Sequence, residues 1–152
     1  MDAGCYPVSL VRFLMGAEPE VIRAKAKLIK PEVDSRMEAD LRFPENIDAH
    51  IVCDMLSPRL FDSFLRVKGD AGELTVINPY HPHWFHWMTI RNSKGAWRGT
   101  VKGDNVYALQ LRAFASAIRS GTPILTDAQQ AVGTMRVIDA VYKKAGLSLR
   151  GA

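Results

Sequence analysis

An aspartate and a tyrosine four residues apart, Asp2 and Tyr6, stand in the stretch Met1-Asp2-Ala3-Gly4-Cys5-Tyr6-Pro7. On one helical turn, side chains at that spacing project from the same face. A carboxylate there can orient a substrate hydroxyl while the phenol gives or accepts its proton, which is the chemistry of a hydroxyl–carbonyl interconversion. A tyrosine titrates near a pH of about 10 unless a cation lowers it, so such a site needs a positive charge from elsewhere. A plainer reading stands beside this one: an aspartate capping a helix and a tyrosine packed against its neighbours.

Three further histidines, His81, His83 and His86, lie in His81-Pro82-His83-Trp84-Phe85-His86. In an extended chain His81 and His83 share a face and His86 takes the other, and no carboxylate or thiol completes a ligand set at metal-binding spacing. A polar loop entering a strand is the expectation here, with no metal. Cys5 and Cys53 form no CxxC or CxxxH pattern and read as small buried hydrophobes in a reducing compartment.

The elements that would position these residues follow from periodicity. Pro7 to Met15 reads as a largely buried helix, with Pro7 in the first turn and Gly16 as its stop. The period then becomes two. Ile22, Ala24, Ala26 and Leu28 alternate with Arg23, Lys25 and Lys27; Met37, Ala39, Leu41 and Phe43 alternate with Arg36, Glu38, Asp40 and Arg42; Ala49, Ile51, Cys53 and Met55 continue the pattern. Strands from Phe61 to Lys68 and from Glu73 to Ile77 flank a glycine turn, and another pair, Trp84 to Arg91 and Ala96 to Lys102, flanks Asn92-Ser93-Lys94-Gly95. From Asp104 a helical period returns, with Tyr107, Leu111, Phe114, Ala115 and Ile118 on one face and Gly121 past the end. Thr126 and Gln129 suggest a capping box for a last helix that buries Ala131, Met135, Ile138, Tyr142 and Ala145 and stops at Gly146. The order helix, strands, helix, helix predicts an α+β fold: an open, mostly antiparallel sheet with helices packed on one face.

The 152 residues read as a single domain, 1–152, long enough to bury a core, and 47% apolar with 24% charged residues is an ordinary globular balance. No stretch is apolar for the roughly 18 residues that a membrane span needs, and no basic segment precedes the apolar run from Val8 to Met15 as in a signal peptide. A net charge of +4 does not announce nucleic-acid binding. The basic strand positions Arg23, Lys25, Lys27 and Lys30 are interleaved with acids on the neighbouring strands, which favours a solvated or self-paired face over a phosphate-binding one. The expectation is a soluble cytoplasmic protein without nucleic-acid or membrane partners. Strand, GxGxxG loop and helix nowhere occur in the order of a dinucleotide fold.

Four ordered blocks give a family resemblance: MDAGCYPVSLVRFLMG, DSRMEADLRFP, VKGDAGELTVINPYHP and QLRAFASAIRSGTPILTDAQQAVGTMRVIDAVYKKAGL. Together they resemble the C-terminal domain of the Gfo/Idh/MocA family of NAD(P)-dependent oxidoreductases, nearly end to end. The family motif Asp-x-Gly-x-His, or its tyrosine form as in glucose-fructose oxidoreductase and dimeric dihydrodiol dehydrogenase, is matched by Asp2-Ala3-Gly4-Cys5-Tyr6. The resemblance implies that Tyr6 is the acid/base and Asp2 a supporting or substrate-orienting carboxylate. It implies that Arg36, in a segment like the family's Val-Asp-Thr-Arg-Met block, and His81, in a loop after a strand, are candidates for substrate contact. The family's lysine sits in a Glu-Lys-Pro motif of the nucleotide-binding half, and neither that motif nor the glycine-rich loop is present here.

The expected function is therefore the substrate-binding and oligomerisation domain of an oxidoreductase acting on a sugar, polyol or diol hydroxyl. This chain alone is expected to bind no cofactor and to be inactive, with NAD or NADP implied for the complete enzyme. Expected partners are a second copy, through the sheet, and a Rossmann domain upstream or on a separate chain. The alternative is a stand-alone binding or oligomerisation module without a redox role.

Overall fold

The computed structural model describes residues 1–58 and 62–149, with the backbone alone for Asp2. A 3-10 turn over Asp2–Gly4 leads into α1 (Cys5–Met15), followed by β1 (Glu20–Lys30), β2 (Val33–Phe43) and β3 (Ile47–Asp54). Then come β4 (Phe64–Gly69), β5 (Gly72–Ile77), β6 (Trp87–Asn92), β7 (Gly95–Gly99), α2 (Val106–Ser120) and α3 (Ala128–Lys144). The α+β class is as expected, and all strand pairing is antiparallel. The described strands form two sheets, ordered β1-β2-β3 and β4-β5-β6-β7. The chain divides into two compact units, Met1–Ser57 with Leu125–Ala152, and Pro58–Ile124.

In the first unit, α1 starts at Cys5, ahead of Pro7, and ends where Gly16 turns left-handed at φ 61° and returns its N–H to the Arg12 carbonyl at 2.9 Å. In β2, Met37, Ala39, Leu41 and Phe43 are each no more than 3% exposed, as their alternation foretells. They pack with Val8 of α1 and with Val137, Ile138, Val141 and Tyr142 of α3, so both helices cover this face of the sheet. In β1 the expected inward set is corrected. Val21 opposes Leu41 and Arg23 opposes Asp40, so Ile22 is a bulged extra residue and the inward positions become Val21, Ala24 and Ala26. A second irregularity near Leu28 turns that side chain outward as well, and Ile22 and Leu28 are each 44% exposed.

The last helix is capped one residue later than Thr126: the Asp127 carboxylate accepts the Gln130 N–H at 2.8 Å. A charged acceptor matches the positive helix end better than a hydroxyl does. The buried stripe of α3 is also rotated from the predicted one, running through Gly133, Thr134, Val137, Ile138, Val141 and Tyr142, while Met135 is exposed.

In the second unit, two-residue turns join β4 to β5 and β6 to β7, with register pairs Gly69↔Gly72 and Asn92↔Gly95. Gly72 is required at its place: it has φ 151°, and a Cβ there would run into the Arg91 carbonyl. The predicted start of the first strand of this unit, Phe61, lies outside the described residues. The strand predicted from Trp84 begins only at Trp87, because Asn78 Nδ2 donates to the His81 carbonyl at 2.9 Å and to the Phe85 carbonyl at 2.7 Å and holds residues 78–86 as a loop.

Candidate functional site

Tyr6 is the second residue of α1 and is 51% exposed, whereas Val8 and Arg12, further along the same helix, are buried. The helix is thus anchored through its far side, and the phenol stands on a fixed support facing accessible space. Asp2 lies in the preceding 3-10 turn, and its side chain lies outside the described residues.

Two buried polar clusters hold this end of the unit. The Met1 ammonium donates to Asp34 Oδ1 and to the Tyr142 hydroxyl, each at 2.6 Å, and Tyr142 donates to the same Asp34 oxygen at 2.6 Å. Burial pushes the Asp34 carboxyl up, but these hydrogen bonds and the ammonium charge outweigh it and hold the carboxyl below its ordinary value. The second cluster centres on Arg12, which is 6% exposed. Its Nε donates to Glu18 Oε2 at 2.8 Å and Nη2 to Glu18 Oε1, while Nη1 donates to the Gln130 carbonyl at 3.0 Å and to Thr134 Oγ1 at 2.9 Å. The hydrogen bonds from Arg12 lower the Glu18 carboxyl, and Glu18 in turn raises the guanidinium. Sequence reasoning missed Arg12, because an arginine in an apolar helix reads as the exposed position. The available signal was Gly133 in the middle of α3.

Arg36 does not join Tyr6. It alternates with Met37 on β2 and so lies on the sheet face turned away from α1 and α3, where Nε donates to Glu38 at 2.7 Å and Nη1 to Asp54 at 3.0 Å. Those hydrogen bonds raise the guanidinium and lower Asp54. The same face pairs Arg23 with Asp40 at 2.7 Å, His50 with Asp40 at 2.6 Å, and Arg42 with Asp48. Asp40 is held below its ordinary value by the hydrogen bond from His50 and then by Arg23. The basic strand face is therefore a lattice of mixed charge. Cys53 is buried, which raises its thiol, and Cys5 is half-buried.

His81, His83 and His86 fall in the second unit. Among the described residues no group of three or more His, Cys, Asp and Glu side chains is placed to hold a metal. His86 is fully engaged: Nδ1 bonds the Pro82 carbonyl at 2.8 Å and Nε2 accepts the Val101 N–H at 2.8 Å, which selects the neutral tautomer protonated on Nδ1.

Residues 1–75 match the family model of the GFO/IDH/MocA C-terminal domain. The chain carries a Gfo/Idh/MocA C-terminal domain. It is 26% identical over 95% of its length to D-xylose 1-dehydrogenase (NADP(+)) 2 of Haloferax volcanii, and 28% identical over 95% to an uncharacterized oxidoreductase of Rhizobium meliloti. It covers 45% of each, so the chain spans about half the length of the curated relatives it matches. Its fold is that of aldose-aldose oxidoreductase from Caulobacter crescentus, with a TM-score of 0.82 at 21% identity over 94% of this chain and 44% of that one. Among the described residues, no helix is long and apolar enough to cross a membrane.

Proposed function

We propose that this Gfo/Idh/MocA chain is the substrate-binding and oligomerisation portion of an NAD(P)-dependent oxidoreductase that acts on a sugar, polyol or diol hydroxyl. The observation that carries the reading is Tyr6, an accessible phenol in the tyrosine form of the family motif, on a helix anchored by the buried Val8 and Arg12. In this reading Tyr6 moves the hydroxyl proton, Asp2 orients the hydroxyl, and His81 belongs to substrate binding through its loop. The described residues do not fit a nicotinamide nucleotide: both sheets are antiparallel, and no strand, glycine loop and helix make a phosphate cradle. The cofactor, NAD or NADP, is supplied by a nucleotide-binding domain, upstream or on a separate chain.

The exposed stripe of α2 supports such a partner. Tyr107, Leu111, Phe114 and Ile118 are 55%, 69%, 57% and 69% exposed at helical spacing, an apolar face that a soluble helix normally covers. Homodimerisation through the outer face of the first sheet is supported by its interleaved charges and by exposed Ile22, Leu28 and Val52. We assign Arg36 to that interface. A reducing, cytoplasmic setting suits the two free cysteines.

The test is turnover of a panel of sugars, polyols and diols with NADP and NAD. The chain alone gives none, and the chain joined to a nucleotide-binding domain oxidises at least one sugar, polyol or diol. Turnover by the chain alone, or none in either form, overturns the reading. Light scattering at the monomer mass across micromolar concentrations overturns the dimer.

A further inference from the structure

The strands of the second sheet alternate as those of the first do, and the alternation leaves one face polar. On β4, Leu65 and Val67 take one face while Arg66 and Lys68 take the other. The register carries that polar face across all four strands. Arg66 pairs with Thr75, Thr75 with Thr89 and Thr89 with Arg98, so one row runs arginine, threonine, threonine, arginine. On the row beside it Lys68 pairs with Glu73 and Glu73 with Arg91, and on the other side Ile77 pairs with Trp87. These rows are two residues apart along each strand and so share the face.

Four cations here face one carboxylate. Arg66 Nε lies 3.3 Å from Glu73 Oε1 and Lys68 Nζ lies 4.0 Å from Glu73 Oε2, so these two share it. Among the described residues, Arg91 and Arg98 have no carboxylate partner. Arg98 instead leans over the middle of its row, where Nε donates to Thr89 Oγ1 at 3.4 Å. Between these side chains is a depression of about 200 Å³, lined by Arg66, Arg91 and Arg98, by the half-buried Thr75 and Thr89, and at one end by Ile77 and Trp87. Trp87 is 43% exposed, so its indole is open to a ligand. Guanidiniums on a shared face repel one another, and an anion held between them removes that repulsion.

The lining selects among anions. An arginine fork matches the oxygens of a phosphate in pairs, and a phosphate monoester brings a charge of about −1.5 to −2 at neutral pH. A single carboxylate brings half that charge and too few oxygens for three forks. The indole beside the arginines offers a flat apolar surface to a ring attached to the phosphate. The depression is smaller than the roughly 300–1,000 Å³ of sites for drug-sized molecules, so the ligand is small. We propose that Arg66, Arg91 and Arg98 bind the phosphate of a small aromatic phosphate monoester, with Thr75 and Thr89 donating to it from the sheet and Trp87 stacking on its ring. Glu73 holds Arg66 in place and limits the affinity, because its own charge opposes that of the ligand. The site lies wholly within the second unit and stands without the redox reading.

The test is an NMR titration of the full chain, read at the Trp87 indole and the arginine Nε–H signals, with phenyl phosphate, inorganic phosphate and phenol as separate arms. Both phosphates should shift the arginine signals, phenyl phosphate should bind about fivefold more tightly than inorganic phosphate, and phenol alone should not bind. Arg91→Gln and Arg98→Gln should each weaken phenyl phosphate by about tenfold. Trp87→Leu should bind inorganic phosphate unchanged and lose the preference for the phenyl ring. Glu73→Gln should bind both phosphates more tightly, a gain that a misfolded chain cannot give. Absence of phosphate shifts, phenol binding as well as phenyl phosphate does, undiminished affinity in both arginine variants, or equal or weaker binding in Glu73→Gln would overturn the proposal. So would a single-stranded oligonucleotide that binds this face more tightly than phenyl phosphate does, or self-association of the chain that shuts phenyl phosphate out, since the face would then serve a nucleic acid or a second copy.

Discussion

The guanidinium of Arg12 occupies the place where residue 133 would carry a Cβ: an added carbon on Gly133 would overlap Arg12 and come within 3.0 Å of Glu18 Oε1. Glycine in the middle of α3 costs about 1 kcal/mol in helix propensity against alanine. Here it admits an arginine that joins α1 to the Gln130 carbonyl and Thr134 of α3. Gly133→Ala should therefore destabilise the first unit by about 1–3 kcal/mol despite its better helix propensity. Removing the obstruction as well, in Arg12→Ala with Gly133→Ala, should give strongly non-additive losses in a urea-unfolding double-mutant cycle. Additive losses would show that Arg12 and Gly133 do not compete for that space.

Acid should weaken the protein through a small set of carboxyls. Glu18 is lowered by its hydrogen bonds from Arg12, Asp34 is lowered by Met1 and Tyr142 against the opposing effect of burial, and Asp54 is lowered by Arg36. A folded-state carboxyl below its unfolded value means that the unfolded chain binds more protons. The resulting stability is complete above about pH 5 and is lost as pH falls through the folded values, below about pH 4. Asp40 and Asp54 contribute little, being screened on an exposed sheet face. Asp34→Asn should cost about 1–3 kcal/mol at neutral pH, and the gap to the natural chain should narrow as pH drops toward about 2. Urea midpoints measured from neutral to acid pH check this; a gap that stays constant would show that the Asp34 charge is not what stabilises.

The alternation of Met37, Ala39, Leu41 and Phe43 made β2 legible from sequence, because a strand with one covered face leaves a period of two. The bulge at Ile22 was not legible: Ile22, Ala24 and Ala26 keep an unbroken apolar alternation, and only pairing with β2 reveals that Val21 takes the inward place. The α3 stripe misled for a related reason. Gly133 and Thr134 are buried against a charged side chain from a distant helix, and hydrophobic periodicity cannot register a polar contact 122 residues away in sequence. In the first unit, the Asp2–Tyr6 pair was visible as a spacing. In the second unit, the loop from residue 78 to 86 was not, since its form depends on Asn78, whose donation to the His81 and Phe85 carbonyls has no periodic signature.

Asn78 provides a test of that role. Asn78→Ala removes the donors to the His81 and Phe85 carbonyls and asks alanine to hold φ 53°. Asn78→Gly keeps the backbone freedom and loses only the side-chain bonds. Alanine should cost about 2–4 kcal/mol in the second unit and glycine about 1 kcal/mol less, with amide hydrogen exchange accelerated across residues 79–86 in both. Equal exchange in the variants and the natural chain would show that the loop is ordered by something other than Asn78.

Tyr6 gives the test closest to function. Its phenol is half-exposed on a helix held by Val8 and Arg12, so removing one oxygen should leave the unfolding midpoint of Tyr6→Phe within about 0.5 kcal/mol of the natural chain. If the phenol carries the substrate proton, the same change in the chain joined to its nucleotide-binding domain should lower kcat by about 10²–10⁴-fold, with KM changed far less. The pH–rate profile should change too: the limb governed by the acid/base in the natural enzyme should be missing from Tyr6→Phe, which a merely packed tyrosine would not produce. Tyr6→His, the other form of the family motif, should recover part of the rate with a profile moved toward the imidazole range. A loss of kcat matched by an equal loss of stability, with the profile unchanged, would mean that Tyr6 serves only to pack the start of α1.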